Sequence, residues 1–304
     1  RRGKNNRRDA QEFGFKLEDN IFDLHCSLKD GSYQHGGYES FYVHDPKKRH
    51  IHKASVRDRL LHHAVSRIIE PIFERKFIFD SWACRKGKGT HRAVERFQQL
   101  TWRFSQNNTR AVWVLKLDIR KFFASVNHDI LLNLLQRSIH GPQTIELLTK
   151  IIASFPALPL GNLTSQLFAN IYLDELDQFV KHRLKAKVYV RYCDDFVLVH
   201  RQKLVLEQYL ESVKYFLAQH LQLQIHEKKI ELKRYHQGID FLGFICFPHF
   251  RILRTSTKKR MFRKLTNAHN QASFNSYLGL VKHCRSRGVK LEMVRKIVYN
   301  NKNA

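Results

Sequence analysis

Cysteine is sparse in this sequence: Cys26, Cys84, Cys193, Cys246 and Cys284 are odd in number and far apart. No C-x-x-C pair and no zinc-ligand spacing occurs, which excludes a disulfide framework and leaves reduced thiols in a cytosolic protein as the default. The 18 histidines form no H-E-x-x-H pattern, so zinc-hydrolase chemistry is excluded too. His62-His63 falls on a helix-like segment and is read as packing and solvent-facing rather than metal-binding. No apolar run approaches the ~20 residues that span a bilayer, and no signal peptide is visible, so a cytoplasmic protein with no membrane partner is expected. The chain starts with Arg1 and not Met, so its beginning carries little targeting information. Acidic residues are scarce relative to basic ones: 27 Asp+Glu face 54 Lys+Arg, a net charge of +27 and a pI near 10.1. A charge that large repels itself unless a polyanion is bound, so nucleic acid is the first candidate partner, ahead of an anionic membrane surface. At 304 residues the chain can form two or three subdomains with one substantial core.

The acids that are present are grouped. In Tyr189-Val190-Arg191-Tyr192-Cys193-Asp194-Asp195-Phe196-Val197-Leu198-Val199, two adjacent carboxylates lie between β-branched and aromatic runs, the pattern of two short strands joined by a tight turn. Like charges at that distance repel unless a cation neutralises them or one carboxyl takes up a proton. A plain polar turn is the alternative reading. A matching carboxylate, Asp118, follows the apolar strand Val112-Trp113-Val114-Leu115-Lys116-Leu117 and lies 76 residues before Asp194. An Asp ending one strand and an Asp on a neighbouring hairpin can hold two Mg²⁺ ions ~4 Å apart, the arrangement of in-line phosphoryl displacement.

These two stretches, with Pro159-Leu160-Gly161-Asn162-Leu163-Thr164-Ser165-Gln166 between them, resemble the palm motifs of reverse transcriptases. The resemblance implies that Asp118 and Asp194, with the Ile119 backbone, bind two Mg²⁺ (Mn²⁺ being a possible substitute) and that Asp195 supports the site or adds a ligand. It also implies that Lys47 and Arg49, in a basic turn after the strand Tyr38–Val43, close over the incoming triphosphate; Arg49 is the better candidate because a guanidinium grips phosphate bidentately. Phe123 takes the place of the aromatic that excludes a 2′-hydroxyl; of the adjacent Phe122 and Phe123, one is expected in the core. Arg85, Lys86 and Lys88, in a Gly-punctuated loop opening the helix His91–Phe104, suit template phosphate. Phe241, Leu242 and Gly243 resemble the primer-grip hairpin. Lys229, rather than its neighbour Lys228, is the candidate acid for the leaving pyrophosphate, with two solvated lysines as the alternative.

At Leu160 many reverse transcriptases, retroviral and group II intron types among them, carry Gln, and at Gln166 they carry Pro. Leu160, Gly161 and Gln166, with the flanking Thr164–Asp177, look like the reverse transcriptases of diversity-generating retroelements. That resemblance covers about residues 40–255. It implies error-prone cDNA synthesis from a dedicated template RNA, with misincorporation opposite template adenines (mutagenic retrohoming), in a bacterial, archaeal or phage-encoded system. It further implies a small basic accessory protein that assembles as a ring. A defence-associated, retron or group II intron-like reverse transcriptase is the first rival, and a non-catalytic basic RNA-binding protein the second. No endonuclease, RNase H or zinc module is visible after the basic helical tail.

The expected architecture is an α+β right-hand polymerase: a flexible basic arm over 1–12, fingers over 13–110, a palm over 111–255 with a fingers insertion at about 124–158, and a small helical thumb over 256–304. Helices are expected over Phe13–Leu28, Ser55–Glu70 (ended by Pro71), Ile130–Ile139 (capped by Asn127 or Asp129), Thr144–Phe155, Ser165–Leu184 and Lys203–His220. Strands are expected at Lys187–Tyr192, Phe196–His200 and Leu221–Ile225.

Overall fold

The computed structural model describes residues 7–44, 48–267, 271–286, 288–293 and 295. In chain order come helices α1 (Arg8–Phe15) and α2 (Leu17–Lys29), strands β1 (Tyr38–Val43) and β2 (Arg49–Ala54), and helices α3 (Val56–Glu74) and α4 (Thr90–Phe104). Strand β3 (Trp113–Asp118) precedes α5 (Phe122–Ser125), α6 (His128–Gln136), α7 (Pro142–Ala153) and α8 (Leu163–Gln178). Then follow β4 (Val188–Tyr192), β5 (Asp195–His200), α9 (Lys203–Leu221), β6 (Glu231–Arg234), β7 (Ile239–Phe241), β8 (Phe244–Cys246), β9 (Arg251–Leu253), α10 (Thr255–Asn267) and α11 (Gln271–Lys282). Helices packed with antiparallel sheets make the chain α+β. It divides into two compact units, one of Arg1–Phe79, Ile119–Phe179 and Val213–Ile225, the other of Asp80–Asp118, Val180–Ser212 and His226–Ala304.

In the first unit α3 starts at a reciprocal cap: Ser55 Oγ accepts from the Asp58 amide at 3.1 Å and donates to Asp58 Oδ2 at 2.7 Å. Pro71 does not end this helix. Ile69 and Phe73, both buried, carry its apolar face on to Glu74, and that packing outweighs the hydrogen bond and ring clash that an interior proline costs. The buried face of α3 packs on α8, which is covered on nearly every side, including Leu167, Phe168, Ile171, Tyr172, Leu173 and Leu176. The helix expected over Ser165–Leu184 is α8 followed by a π-helical turn, Phe179–Arg183. Asn127, rather than Asp129, caps α6: its Oδ1 accepts from the amides of Asp129 and Ile130 at 2.8 and 3.0 Å.

Of the residues expected as a basic arm, Arg8 onward is helical, with Arg8 bonded to Glu12 at 2.7 Å; residues 1–6 lie outside the described ones. The strand expected at Leu221–Ile225 shrinks to one bridge, Ile119↔Ile225. Gln222 turns the chain at φ 50°, and the Leu221 carbonyl is held by Tyr172 Oη at 2.7 Å, so this stretch closes α9 instead of extending a sheet.

The second unit holds a four-stranded antiparallel sheet in the order β4-β5-β3-β6 and a smaller antiparallel sheet β7-β8-β9. Both share one core: Val114, Val190, Val197 and Val199 of the larger sheet, Phe97 of α4, and Phe241 and Phe244 of the smaller are buried in a single cluster, with Met261 of α10 and Val281 of α11. The β7–β8 turn is Leu242-Gly243, both at positive φ (51° and 89°), the geometry of a two-residue hairpin whose twist matches its strands.

Beneath α3 lies a buried polar cluster. Tyr33 Oη donates to Asp58 Oδ1 at 2.8 Å, and the rings of His35 and His62 meet through Nε2 at 3.1 Å. Burial, with His35 beside it, holds the His62 imidazole down at about 4. The unfolded chain, with His near 6.5, therefore binds the proton first, and stability is lost as pH falls from about 6.5 toward 4. His62 alone is expected to contribute on the order of 3 kcal/mol to that loss. Urea unfolding of His62→Phe should show a correspondingly flatter dependence between about pH 7 and pH 4; an unchanged slope contradicts the assignment.

Candidate active site

Strands β3 and β5 run antiparallel in a register that opposes Asp118 to Asp195, Leu117 to Phe196 and Lys116 to Val197. Leu117 and Phe196 are fully buried, so the two strands end with an aspartate each where the apolar core stops. Opposed residues in such a pair have Cβ atoms about 5 Å apart, and like charges there are destabilising. Asp194 adds a third carboxylate at the two-residue tip between β4 and β5, where Tyr192 pairs with Asp195. Burial and then the charge of Asp118 push the Asp194 carboxyl up. Burial pushes Asp195 up to about 7, against the pull of Lys116.

Two lysines offset this concentration of negative charge. Lys229, on the 3₁₀ turn Glu227–Lys229, places Nζ 2.6 Å from Asp118 Oδ1, while the His226 amide donates to the Asp118 carbonyl at 2.8 Å. Lys116 lies two residues before Asp118 and so on the same face of β3; its Nζ is 3.9 Å from Asp195 Oδ2. The tip is fixed from below by Arg191, whose side chain is fully buried. Its Nη1 donates to the Cys193 carbonyl at 3.1 Å and its Nη2 to Ser81 Oγ at 3.0 Å. Its main chain pairs with Asp80 and Trp82. Cys193 sits at φ 56°, a left-handed conformation disfavoured for a residue with a Cβ, and the guanidinium bond holds that turn in place. Sequence reasoning passed over Lys116 and Arg191. Both are charged residues inside otherwise apolar strands, and that pattern is the signal that could have found them.

The residues present fit a hard divalent cation. The donors are oxygens, and Asp195 Oδ1 is buried with no hydrogen-bond partner among the described residues. Among those residues no group of three or more His, Cys, Asp or Glu side chains is arranged to hold a metal ion, so the aspartates alone do not complete a coordination sphere. Asp118 and Asp194 would supply part of a coordination sphere, with positions left for water and phosphate.

The structure thus brings Asp118, Asp194, Asp195 and Lys229 together in the second unit, with Lys228 exposed and on no carboxylate among the described residues. In the same unit Arg85 donates to the Ser81 carbonyl at 2.8 Å, Lys88 lies 4.1 Å over the Trp82 ring, and Lys86 is exposed. Phe241 is buried and Leu242-Gly243 form the hairpin tip. The first unit holds Arg49, Ile119, Phe123, Leu160, Gly161 and Gln166, while Lys47 lies outside the described residues. Phe122 is core and Phe123 half-buried. Leu160 gives its carbonyl to the His52 amide of β2 at 2.9 Å. A Cβ at Gly161 (φ 125°) would come within 3.0 Å of the His52 carbonyl, so only glycine lets this loop dock on β2. Gln166 is exposed on the first turn of α8.

An antiparallel sheet with carboxylates gathered at the β4–β5 tip and at the adjoining end of β3 is the arrangement of a polymerase palm. The family described as reverse transcriptase (RNA-dependent DNA polymerase) matches residues 43–246, more than half of the sequence, and the chain belongs to that family. YkfC of Escherichia coli (strain K12) is 27% identical over 266 residues, 72% of this chain and 69% of YkfC. The group II intron-encoded protein LtrA of Lactococcus lactis is 25% identical over 319 residues, 80% of this chain and 51% of LtrA. Apo telomerase of Candida tropicalis, truncated from its C-terminal domain, shares the right-hand polymerase fold with a TM-score of 0.59 at 12% identity over 73% of this chain and 55% of that one. The chain thus spans about two thirds of YkfC and about half of LtrA.

If Lys116 is the counter-charge of Asp195, Lys116→Met leaves a half-buried carboxylate without it. Unfolding at about pH 8 should show a loss of roughly 2 kcal/mol, between the values for surface and buried pairs. Adding Asp195→Asn should restore most of it, and additive losses in the double variant contradict the pairing.

Proposed function

We propose that this chain copies an RNA template into DNA by adding deoxynucleotides to a primer 3′-hydroxyl, with Asp118 and Asp194, and the Ile119 carbonyl, holding two Mg²⁺. The observation that carries this reading is the register opposing Asp118 to Asp195 beside the Asp194 tip, with Lys229 on Asp118. The ions, when bound, activate the attacking oxygen and neutralise the departing charge. Asp195, paired with Lys116, keeps the two ligands in place; Lys229 is within reach to give a proton to pyrophosphate. The stretches 13–110, 111–255 and 256–304 serve as fingers, palm (with a fingers insertion at about 124–158) and thumb. Arg49 and Lys47 grip the triphosphate, Phe123 excludes the 2′-hydroxyl, Arg85, Lys86 and Lys88 follow template phosphates, and the Phe241-Leu242-Gly243 hairpin holds the primer end. Incorporation of dNTP on a primed RNA should fall at least about 10³-fold in Asp194→Asn and disappear with a chelator. Equal signal from the parent and the variant would remove catalysis from this site.

Within the family we assign the chain to the diversity-generating type, making adenine-mutagenised cDNA from a dedicated RNA with a small basic ring-forming accessory protein. Leu160 supports this reading. A glutamine there can hydrogen-bond the nucleotide, whereas leucine cannot donate or accept, and one such contact is worth roughly 1 kcal/mol of discrimination. The similarity to LtrA favours a second reading, a group II intron-like enzyme of ordinary fidelity. Sequencing cDNA from the parent and Leu160→Gln separates them: the first reading expects several-fold fewer errors opposite template adenines in the variant, and an unchanged error spectrum favours the second.

A further inference from the structure

Helices α1 and α2 meet at an elbow of one residue, Lys16. The elbow is fixed to its own unit: Asp9 of α1 accepts from Arg59 of α3 at 2.7 Å and pairs with Lys53 of β2 at 3.0 Å, and Asn20 Nδ2 donates to the Phe13 carbonyl at 3.0 Å. Its outer surface is apolar and open. Leu17, Ile21, Leu24 and Leu28 recur on one side of α2 at helical spacing, but only the second half of that stripe is covered: Leu24 is buried and Leu28 half-buried, while Leu17 and Ile21 are exposed. Phe15, at the elbow, and Phe22, next to Ile21 in the chain, are 87% and 67% exposed. Single exposed apolar residues are normal, whereas four large ones within residues 15–22 mark a contact surface.

The charge of this elbow is opposite to that of the chain. Residues 9–23 hold five carboxylates, Asp9, Glu12, Glu18, Asp19 and Asp23, and one basic residue, Lys16, in a chain of net charge +27. Asp9 is taken by Arg59 and Lys53, and Glu12 by Arg8 at 2.7 Å. Glu18, Asp19 and Asp23 are exposed and in no ion pair among the described residues. Glu18 and Asp19 lie in the first turn of α2, where the helix dipole favours acids. Asp23 lies beyond that turn, and no dipole accounts for the uncovered phenyl rings.

We infer that the outer face of the α1–α2 elbow is a docking site for a protein that presents a basic amphipathic helix. The partner's apolar stripe covers Phe15, Leu17, Ile21 and Phe22, and the Lys and Arg beside that stripe meet Glu18, Asp19 and Asp23. Charge rules out the other occupants. Nucleic acid and anionic membrane surfaces are repelled by the three free acids, and a second copy docked by the same face would set those acids against their own images. The elbow is held in place before any partner arrives, which lowers the ordering cost of binding. The face uses none of the polymerase-site residues. It goes beyond the polymerase reading, and its failure would leave that reading intact.

The test is fluorescence anisotropy of the full chain with a labelled helical peptide of about 18 residues, leucine along one face and lysine and arginine elsewhere. The rest of the chain repels such a cation, so binding reports on this face; a Kd below about 100 µM at ~0.15 M salt is expected. Phe15→Ser and Phe22→Ser should each weaken it about 10-fold. The double variant Glu18→Lys/Asp23→Lys should weaken it at least as much, and so should replacing the peptide's leucines by serine at equal charge. Both phenyl rings are exposed, so circular dichroism and the urea midpoint of the Phe variants should match the parent. Phe22→Ser should also leave the sedimentation coefficient and the affinity for primed RNA unchanged. No binding by the parent, or parent-like binding by Phe22→Ser or by the charge-reversed variant, would overturn the inference. So would a dimer lost or an RNA affinity weakened in Phe22→Ser, which would give the face to a second copy or to nucleic acid.

Discussion

Three carboxylates meet where β3 ends beside the β4–β5 hairpin, and their mutual repulsion is the constraint to which the second unit answers. The opposed register of β3 and β5 brings Asp118 and Asp195 together whether or not a cation is present, and burial raises the cost of charging Asp194 and Asp195. The fold offsets that cost locally. Lys116 reaches Asp195 from within the same strand that carries Asp118, Lys229 reaches Asp118 from the turn before β6, and Arg191 fixes the strained tip. Three carboxylates against two lysines leave one negative charge unmatched, and the proposed binding of a small, hard cation would answer that imbalance.

How far this was legible beforehand depends on the kind of signal. The stretch before Asp118 and the β-branched and aromatic runs around Asp194-Asp195 are nearly continuous apolar strands, so they and their acidic turn could be read directly, whereas the Leu242-Gly243 hairpin was legible through its resemblance to a primer grip. Local propensity failed where tertiary packing decides. Pro71 looks like a stop, but Phe73, two residues on, is buried. The alternation in Leu221–Ile225 looks like a strand, yet Tyr172, distant in sequence, captures the Leu221 carbonyl and bends the chain. Likewise Lys116 and Arg191 are charged residues in apolar strands, explained only by their partners, Asp195 and the Cys193 carbonyl, which lie across a sheet or a turn and not at a helical spacing.

Leu160 and Gly161, proposed to line the nucleotide, depend on one local device. The loop carrying Leu160 and Gly161 is tied to β2 through the His52 amide, and glycine is required because the strand backbone passes within 3.0 Å of where a Cβ would be. The next residue, Asn162, donates from Nδ2 to Tyr38 Oη of β1 at 3.1 Å, so both strands of the β1–β2 pair hold the loop.

Manganese binding followed by electron paramagnetic resonance tests the central claim most directly, since it reads the carboxylate site without turnover. The charge imbalance predicts at least about a 10-fold weaker affinity in Asp118→Asn and in Asp194→Asn, and a tighter affinity in Lys229→Met, where the cation on Asp118 is gone. Unchanged affinity in both aspartate variants would contradict the account.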